Sequence, residues 1–212
     1  MDRTFPCLHV ITGHRPEETV RAVVAVAARL GATDRLAVQV RVDDDMCDRE
    51  AFELTSRILG RCRPQGVLCL VNDRLDVALA AGADGAHVGA EDLPVAAARR
   101  VLGPAAVLGA TCRTPAAARA ARDCGATYVG VGPAYATATK TGLPDPIGPD
   151  GVAAVVRAVP DMPVVAIGGV TVERLPELVG CGVAVIGALR ADPDGAAQRF
   201  LTALSRPLSR IA

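Results

Sequence analysis

The segment CGATYVGVG, residues 124–132, holds the pattern from which the fold can be read. A glycine follows an Ala- and Arg-rich stretch of helical period, and a short apolar run of strand length comes directly after it. The same signature recurs as LGATDRLAVQV (30–40), AGADGAHVG (81–89) and CGVAVIGA (181–188). Each copy places a glycine where a helix should end, so Gly31, Gly82, Gly125 and Gly182 are predicted as left-handed caps. This weak internal repeat marks one helix-to-strand unit used several times.

Working outward, strand-like runs fall at 7–12, 35–42, 66–71, 84–88, 105–110, 127–131, 163–167 and 183–187. Helical stretches near 16–30, 47–60, 74–82, 94–102, 115–124, 149–158, 172–180 and 194–205 separate them. Strict alternation predicts a parallel sheet with crossover helices. Near-continuous apolar strands fit a sheet covered on both faces. Eight units, with no G-x-G-x-x-G after the first strand, favour a closed (β/α)8 TIM barrel over an open dinucleotide-binding sheet. A single domain spanning 1–212 is expected, a length that one such barrel commonly fills.

Composition narrows the function. Half the residues are hydrophobic but only 2% are aromatic, so Val, Leu, Ile and Ala must build the core. Net charge is zero, with a pI near 6.8, which argues against nucleic acid or an anionic membrane as partner. No run approaches the roughly 18 apolar residues of a membrane span. MDRTFPCLHVIT lacks the basic start and apolar stretch of a signal peptide. The seven cysteines are odd in number and form no C-x-x-C pair, which predicts reduced thiols in a cytoplasmic protein rather than a disulfide scaffold or zinc site. An Ala/Leu-rich helical surface suits a homo-oligomer.

Barrel active sites gather at the carboxyl ends of the strands. Strand 2 ends in Gln39 and Arg41, two apart and so on one face. Strand 3 ends in Asn72-Asp73, strand 4 is followed by Glu91-Asp92, and strand 5 runs into Thr111. Strand 6 enters GPAYATATKTG (132–142), which carries Thr137, Thr139 and Lys140, the one lysine among 23 basic residues. Strands 7 and 8 run into Gly168-Gly169 and Gly187.

Plainer readings exist for each. Asn72-Asp73 and Glu91-Asp92 also suit helix starts, the latter pair with Pro94 near the first turn. The glycines could be tight turns, and Arg41 a structural ion pair. His9, His14 and His87 show no ligand spacing and receive no role. The combination is more specific. Asp73 and Asp92 fall on adjacent strands, where they can share Mg²⁺ with substrate phosphates. Arg41 and Lys140 face them with positive charge. The threonines and glycine amides offer an anion site after strands 6 to 8. The residues predict a Mg²⁺-bound diphosphate on one side and a monophosphate on the other.

VNDRLDVALAAGADGAHVGAEDL (71–93), GPAYATATKTG (132–142) and VVAIGGVT (164–171), in this order, closely resemble the thiamine phosphate synthase family, over roughly residues 35–205. The resemblance implies condensation of 4-amino-2-methyl-5-hydroxymethylpyrimidine diphosphate with 4-methyl-5-(2-phosphoethyl)thiazole, using Mg²⁺ and releasing diphosphate. It implies Asp73 and Asp92 as metal ligands. Gln39, Arg41 and Asn72 would contact the pyrimidine diphosphate, with Thr111 and Lys140 near its phosphates. Thr137, Thr139, Gly169, Ile186 and Gly187 would hold the thiazole phosphate. Arg41 and Lys140 would stabilise the leaving group.

The chain departs from the family in places. Gln-x-Arg-x-Lys becomes Gln39-Val40-Arg41-Val42-Asp43, GQED becomes Gly89-Ala90-Glu91-Asp92, and a serine becomes Thr111. Two other readings are a thiazole tautomerase, whose histidine after strand 5 aligns with Arg113, and a barrel that binds thiazole or thiamine phosphates without turnover. Residues 141–150, TGLPDPIGPD, read as a surface lid over the site.

Overall fold

The computed structural model describes residues 5–42, 45–137, 139 and 142–205. Eight strands, β1 (Leu8–Ile11), β2 (Leu36–Val40), β3 (Leu68–Asn72), β4 (Gly85–Val88), β5 (Val107–Cys112), β6 (Tyr128–Val131), β7 (Val164–Ile167) and β8 (Gly182–Val185), close into one barrel in sequence order. All pairings are parallel, and β8 returns to β1 through Leu8↔Val183. Around it run α1 (Pro16–Arg29), α2 (Asp48–Cys62), α3 (Leu75–Ala81), α4 (Val95–Leu102), α5 (Pro115–Asp123), α6 (Gly148–Ala158) and α7 (Pro193–Ala203). The TIM barrel expected from the alternation is the observed fold.

Two local expectations are corrected. The helix predicted near 172–180 is a short 3-10 segment, Val172–Glu177, with Pro176 inside it. Proline lacks the N–H that an α-helical turn needs and crowds the preceding turn, so the apolar pattern there does not extend into an α-helix. Gly182 is not a left-handed cap but the first residue of β8. The positive φ (78°) belongs to Gly180 instead, while Gly31, Gly82 and Gly125 adopt positive φ as predicted. A Cβ on Gly182 would press on the Cys7 backbone, so close strand approach is the constraint at that position.

Strand alternation divides the core in two. Outward residues such as Leu8, Val10, Val38, Val71, Val129 and Val183 pack under the helices in one large cluster. Inward residues Ile11, Leu70, Tyr128, Val165 and Ala184 form a second cluster inside the barrel. This inner layer also holds polar groups: His9 and Gln39 are buried, and His87 lies beside Tyr128. Gly109 and Gly130 make the room. A Cβ on Gly109 would overlap the Tyr128 ring and the His87 imidazole, and one on Gly130 would press on His87 Cε1. All seven cysteines are unpaired, and burial pushes the Cys112 and Cys181 thiols up to about 11. Among the described residues no helix is long and apolar enough to cross a membrane.

His9 is buried among Phe5 and Tyr128, and among the described residues its Nε2 has no hydrogen-bond partner. Burial, helped by the nearby His87, lowers its pKa to about 3. The unfolded chain therefore binds a proton below pH 6.5 that the folded chain refuses, and stability must fall with pH from about 6.5 toward 3. The slope contributed by this residue is up to about 1.4 kcal/mol per pH unit. Denaturant unfolding of the wild type and His9→Phe at pH 7, 6 and 5 checks this: the variant should lose less stability over that range, and parallel curves would refute it.

Candidate active site

The carboxyl ends of β2, β3 and β4 are tied by a short polar chain. Gln39 Nε2 donates to Asn72 Oδ1 at 2.7 Å, and Asn72 Nδ2 donates to the Asp73 carboxylate. Asp73 takes a left-handed backbone, φ 62°, unusual for a residue with a side chain but better tolerated by Asp than by most. Its N–H donates to the His87 carbonyl at 2.8 Å, which continues the β3–β4 pairing to the rim. Asp92 folds back over the end of β4, accepting the Gly89 N–H on Oδ2 at 2.6 Å.

The N-cap of α3 is Arg74 and that of α4 is Pro94, so neither Asp73 nor Asp92 is itself the N-cap residue of the helix that follows it. Asp73 and Asp92 bring two carboxylates to the rim at the ends of adjacent strands, the oxygen-only donor chemistry that suits a hard divalent cation. Among the described residues no third His, Cys, Asp or Glu joins them in a metal-binding group. The remaining coordination would have to come from water or substrate oxygens. Arg41 is half-buried at the same rim; its N–H donates to Thr12 Oγ1 at 2.8 Å, and among the described residues it enters no ion pair. Lys140, Asp43 and Asp44 lie outside the described residues.

Thr111 stands on a support that has no counterpart in the sequence expectations. His87 Nε2 lies 3.0 Å from Thr111 Oγ1, and His87 Nδ1 lies 2.9 Å from the Tyr128 hydroxyl. Burial lowers the His87 pKa to about 4 despite the opposing pull of the Asp92 carboxylate, and burial raises that of Tyr128. Both groups are therefore neutral near pH 7. A buried phenol needs an acceptor, and His87 Nδ1 supplies it. The Tyr128 O–H thus donates to Nδ1, Nε2 carries the imidazole hydrogen, and Nε2–H donates to Thr111. The threonine hydroxyl keeps its own hydrogen for a ligand above. The signal for this column was strand period: 85, 87 and 89, like 107, 109 and 111 or 128, 130 and 132, share one inward face.

Across the mouth, the loop after β6 is seated on β7. Ala134 N donates to the Ile167 carbonyl at 2.7 Å and Tyr135 N to the Gly168 carbonyl at 3.0 Å. Gly168 and Gly169 have φ of 94° and 62°. A Cβ on either would also run into Pro133 or into Tyr135 and Ala136, so two glycines are required where this loop crosses. Arg174 donates to the Gly169 carbonyl and lies 4.3 Å over the Tyr135 ring, whose hydroxyl donates to Glu177 at 2.9 Å. Thr137 and Thr139 are 3.2 Å apart at their hydroxyls, and Thr139 N donates to Thr137 Oγ1. A Cβ on Gly187 would sit 3.1 Å from Thr139 Oγ1. Thr137, Thr139 and Gly187 therefore meet, with Gly169 beneath the same loop. Ile186, just before the 3-10 turn Gly187–Leu189, packs against the inner apolar cluster.

Comparison with known proteins gives the family. Residues 8–191 match the family model of thiamine monophosphate synthase. The chain belongs to the thiamine monophosphate synthase family. It is 52% identical over 203 residues to a thiamine-phosphate synthase of Salinispora arenicola, covering 93% of this chain and 97% of that protein. It is 46% identical over 196 residues to a thiamine biosynthesis bifunctional protein of Symbiobacterium thermophilum, matching 91% of this chain and 39% of that larger protein. The structure superposes on a thiamine phosphate pyrophosphorylase from Pyrococcus furiosus with a TM-score of 0.85 at 32% identity, over 98% of this chain and 99% of that one.

The hydrogen-bond column yields a direct spectroscopic expectation. Nitrogen-15 spectra of the wild type near pH 7 should show His87 as a neutral imidazole protonated at Nε2, and Tyr128→Phe should lose that single-tautomer signature. The variant should also be less stable by about 1–3 kcal/mol, the usual consequence of leaving a buried polar atom unpaired. An Nδ1-protonated wild-type ring would overturn the assignment.

Proposed function

We propose that this chain joins 4-amino-2-methyl-5-hydroxymethylpyrimidine diphosphate to 4-methyl-5-(2-phosphoethyl)thiazole, giving thiamine phosphate and diphosphate. The observation that carries the reading is the placement of Asp73 and Asp92: both stand at the ends of adjacent strands, ahead of the N-cap residues Arg74 and Pro94, opposite a hydroxyl-bearing loop. Membership of the synthase family supports the same reaction.

In this reading the pyrimidine diphosphate lies over β2 to β5. Gln39 and Asn72 hold each other's amides in one orientation, so their remaining polar atoms meet the substrate already aligned. Thr111, donating upward, and Arg41 meet the diphosphate, with Lys140 as a third donor. Asp73 and Asp92 would hold Mg²⁺ against the diphosphate oxygens, where the ion supplies charge neutralisation for the leaving group. The thiazole phosphate lies under the β6 loop, on Thr137, Thr139 and the backbone near Gly169, Ile186 and Gly187.

The reaction then needs little covalent help from the protein. The bond between the pyrimidine methylene carbon and the diphosphate oxygen breaks, and its electron pair leaves with the oxygen. The thiazole nitrogen lone pair forms the new bond to that carbon. Arg41 and Lys140 stabilise charge as it develops on the leaving group. Placement of the two substrates within one pocket supplies the rest. A tautomerase reading lacks its proton shuttle, because Arg113 stands where the histidine would be and donates to the carbonyls of Gly132 and Asp145. A cytoplasmic setting is supported by seven unpaired thiols.

Purified protein given both substrates and Mg²⁺ should release thiamine phosphate and diphosphate in equal amounts. Asp92→Ala should lower kcat at least ~100-fold, in the range seen when one electrostatic stabiliser of a reaction is removed. Product formation by Asp92→Ala at the wild-type rate would refute the role of that carboxylate, and no product from the wild type would refute the reaction.

A further inference from the structure

Arg113 follows the last residue of β5, and Thr114 after it caps α5 by accepting the Ala117 N–H at 3.2 Å. Its backbone is therefore fixed between a barrel strand and a capped helix. From that base the guanidinium reaches two main-chain carbonyls: Gly132 at the root of the β6–α6 loop, at 3.4 Å, and Asp145 on its outgoing limb, at 2.7 Å. Among the described residues it pairs with no carboxylate. The loop itself is pinched shut just below. Ile147 N donates to the Pro133 carbonyl at 2.9 Å and Gly148 N to the Ala134 carbonyl at 3.1 Å. The lobe between those pinches bears Thr137 and Thr139 on its incoming limb, and Arg113 is a tie from β5 to its outgoing limb.

We infer that Arg113 is a positioning residue that clasps the β6–α6 loop against the barrel rim, fixing the hydroxyls that receive the thiazole phosphate and keeping water from the reacting methylene carbon. The clasp deepens the synthase reading and rests on it for its catalytic consequence. Both bonds go to carbonyl oxygens, so the clasp reads the path of the loop and not its side chains. A planar guanidinium is well matched to two such acceptors, because it presents several N–H groups in fixed directions on a long stem. A lysine ammonium is a point donor, and an imidazole has a shorter stem with two nitrogens. A loop held at its root and its outgoing limb has little freedom to lift. When it lifts, water can add its oxygen to the methylene carbon and lose a proton, giving the pyrimidine alcohol and diphosphate in place of thiamine phosphate.

The experiment pairs Arg113→Met, which keeps the stem, with Arg113→Lys, which keeps the charge. Hydrogen exchange at the Ile147 and Gly148 amides should quicken about tenfold in Arg113→Met, the equivalent of one lost hydrogen bond to a charged group. Amides of α1 and α2 should exchange as in the wild type, and Arg113→Lys should fall between. In turnover, Arg113→Met should raise the KM for the thiazole phosphate and divert a larger share of the pyrimidine diphosphate to the alcohol. Wild-type exchange at Ile147 and Gly148 in the Met variant overturns the clasp. Faster exchange with an unchanged alcohol share overturns its role in excluding water. If Arg113→Met fails to fold, wild-type exchange in Arg113→Lys is the overturning result. A wild type that makes no thiamine phosphate would remove the reaction while the exchange measurement still decides the clasp.

Discussion

The inner face of an eight-stranded barrel has a fixed and small volume, and everything at the mouth of this one depends on how that volume is shared. Gly109 and Gly130 surrender their side-chain space so that His87 and Tyr128 can lie inside the barrel. With that space filled by an imidazole and a phenol, a polar column runs from the barrel interior to Thr111. A larger residue at either glycine would displace the rings and with them the donor that orients the threonine. Packing and site chemistry are therefore one constraint here: the same two missing side chains that let the barrel close around its aromatic groups also fix a hydroxyl at the rim.

The mouth is built on two different principles on its two sides. Over β2 to β4 the side chains hold one another, Gln39 on Asn72 and Asn72 on Asp73, while Asp92 rests on the Gly89 N–H. Over β6 to β8 they are held by backbone: the loop lies on Ile167 and Gly168 carbonyls and crosses two glycines. Arg74 extends the first arrangement outward, joining Asp48 at 2.6 Å and Asp76 at 2.7 Å, so the turn bearing Asp73 is braced against the start of α2. That brace is largely exposed and contributes little to stability by itself. Its effect is on where the Asn72-Asp73 turn sits.

Much of this was legible in the sequence because it is periodic. The helix-to-strand repeat marks eight units, and apolar strands flanked by Gly-ended helices have few other ways to bury both faces. The rim residues were legible because strand ends were. Position alone could not say whether Asp73 and Asp92 cap helices; that needed the observed caps, Arg74 and Pro94. His87 has no ligand spacing in the sequence, and its partners, Tyr128 and Thr111, lie 41 and 24 residues away. No local pattern encodes such a contact, although the inward register of β4, β5 and β6 does. Pro176 shows the opposite failure: an apolar pattern that looks helical is overruled by one missing N–H.

The arginine at 113 shows how one substitution can exclude one chemistry and serve another. A histidine there could exchange a proton with a bound ligand near neutral pH. A guanidinium is unsuited to that exchange, because it offers hydrogen-bond donors and no acceptor lone pair. What it gains is reach and a fixed fork, spent here on two carbonyls of the neighbouring loop. A synthase whose carbon–oxygen bond breaks by charge separation has no need of a proton shuttle at this rim. It does need a loop that stays down while a reactive carbon is exposed, because water competes with the thiazole nitrogen for the same atom. Arg113 is thus better matched to a condensation than to an isomerisation: its fork is committed to the loop that bears the threonines and not to proton transfer.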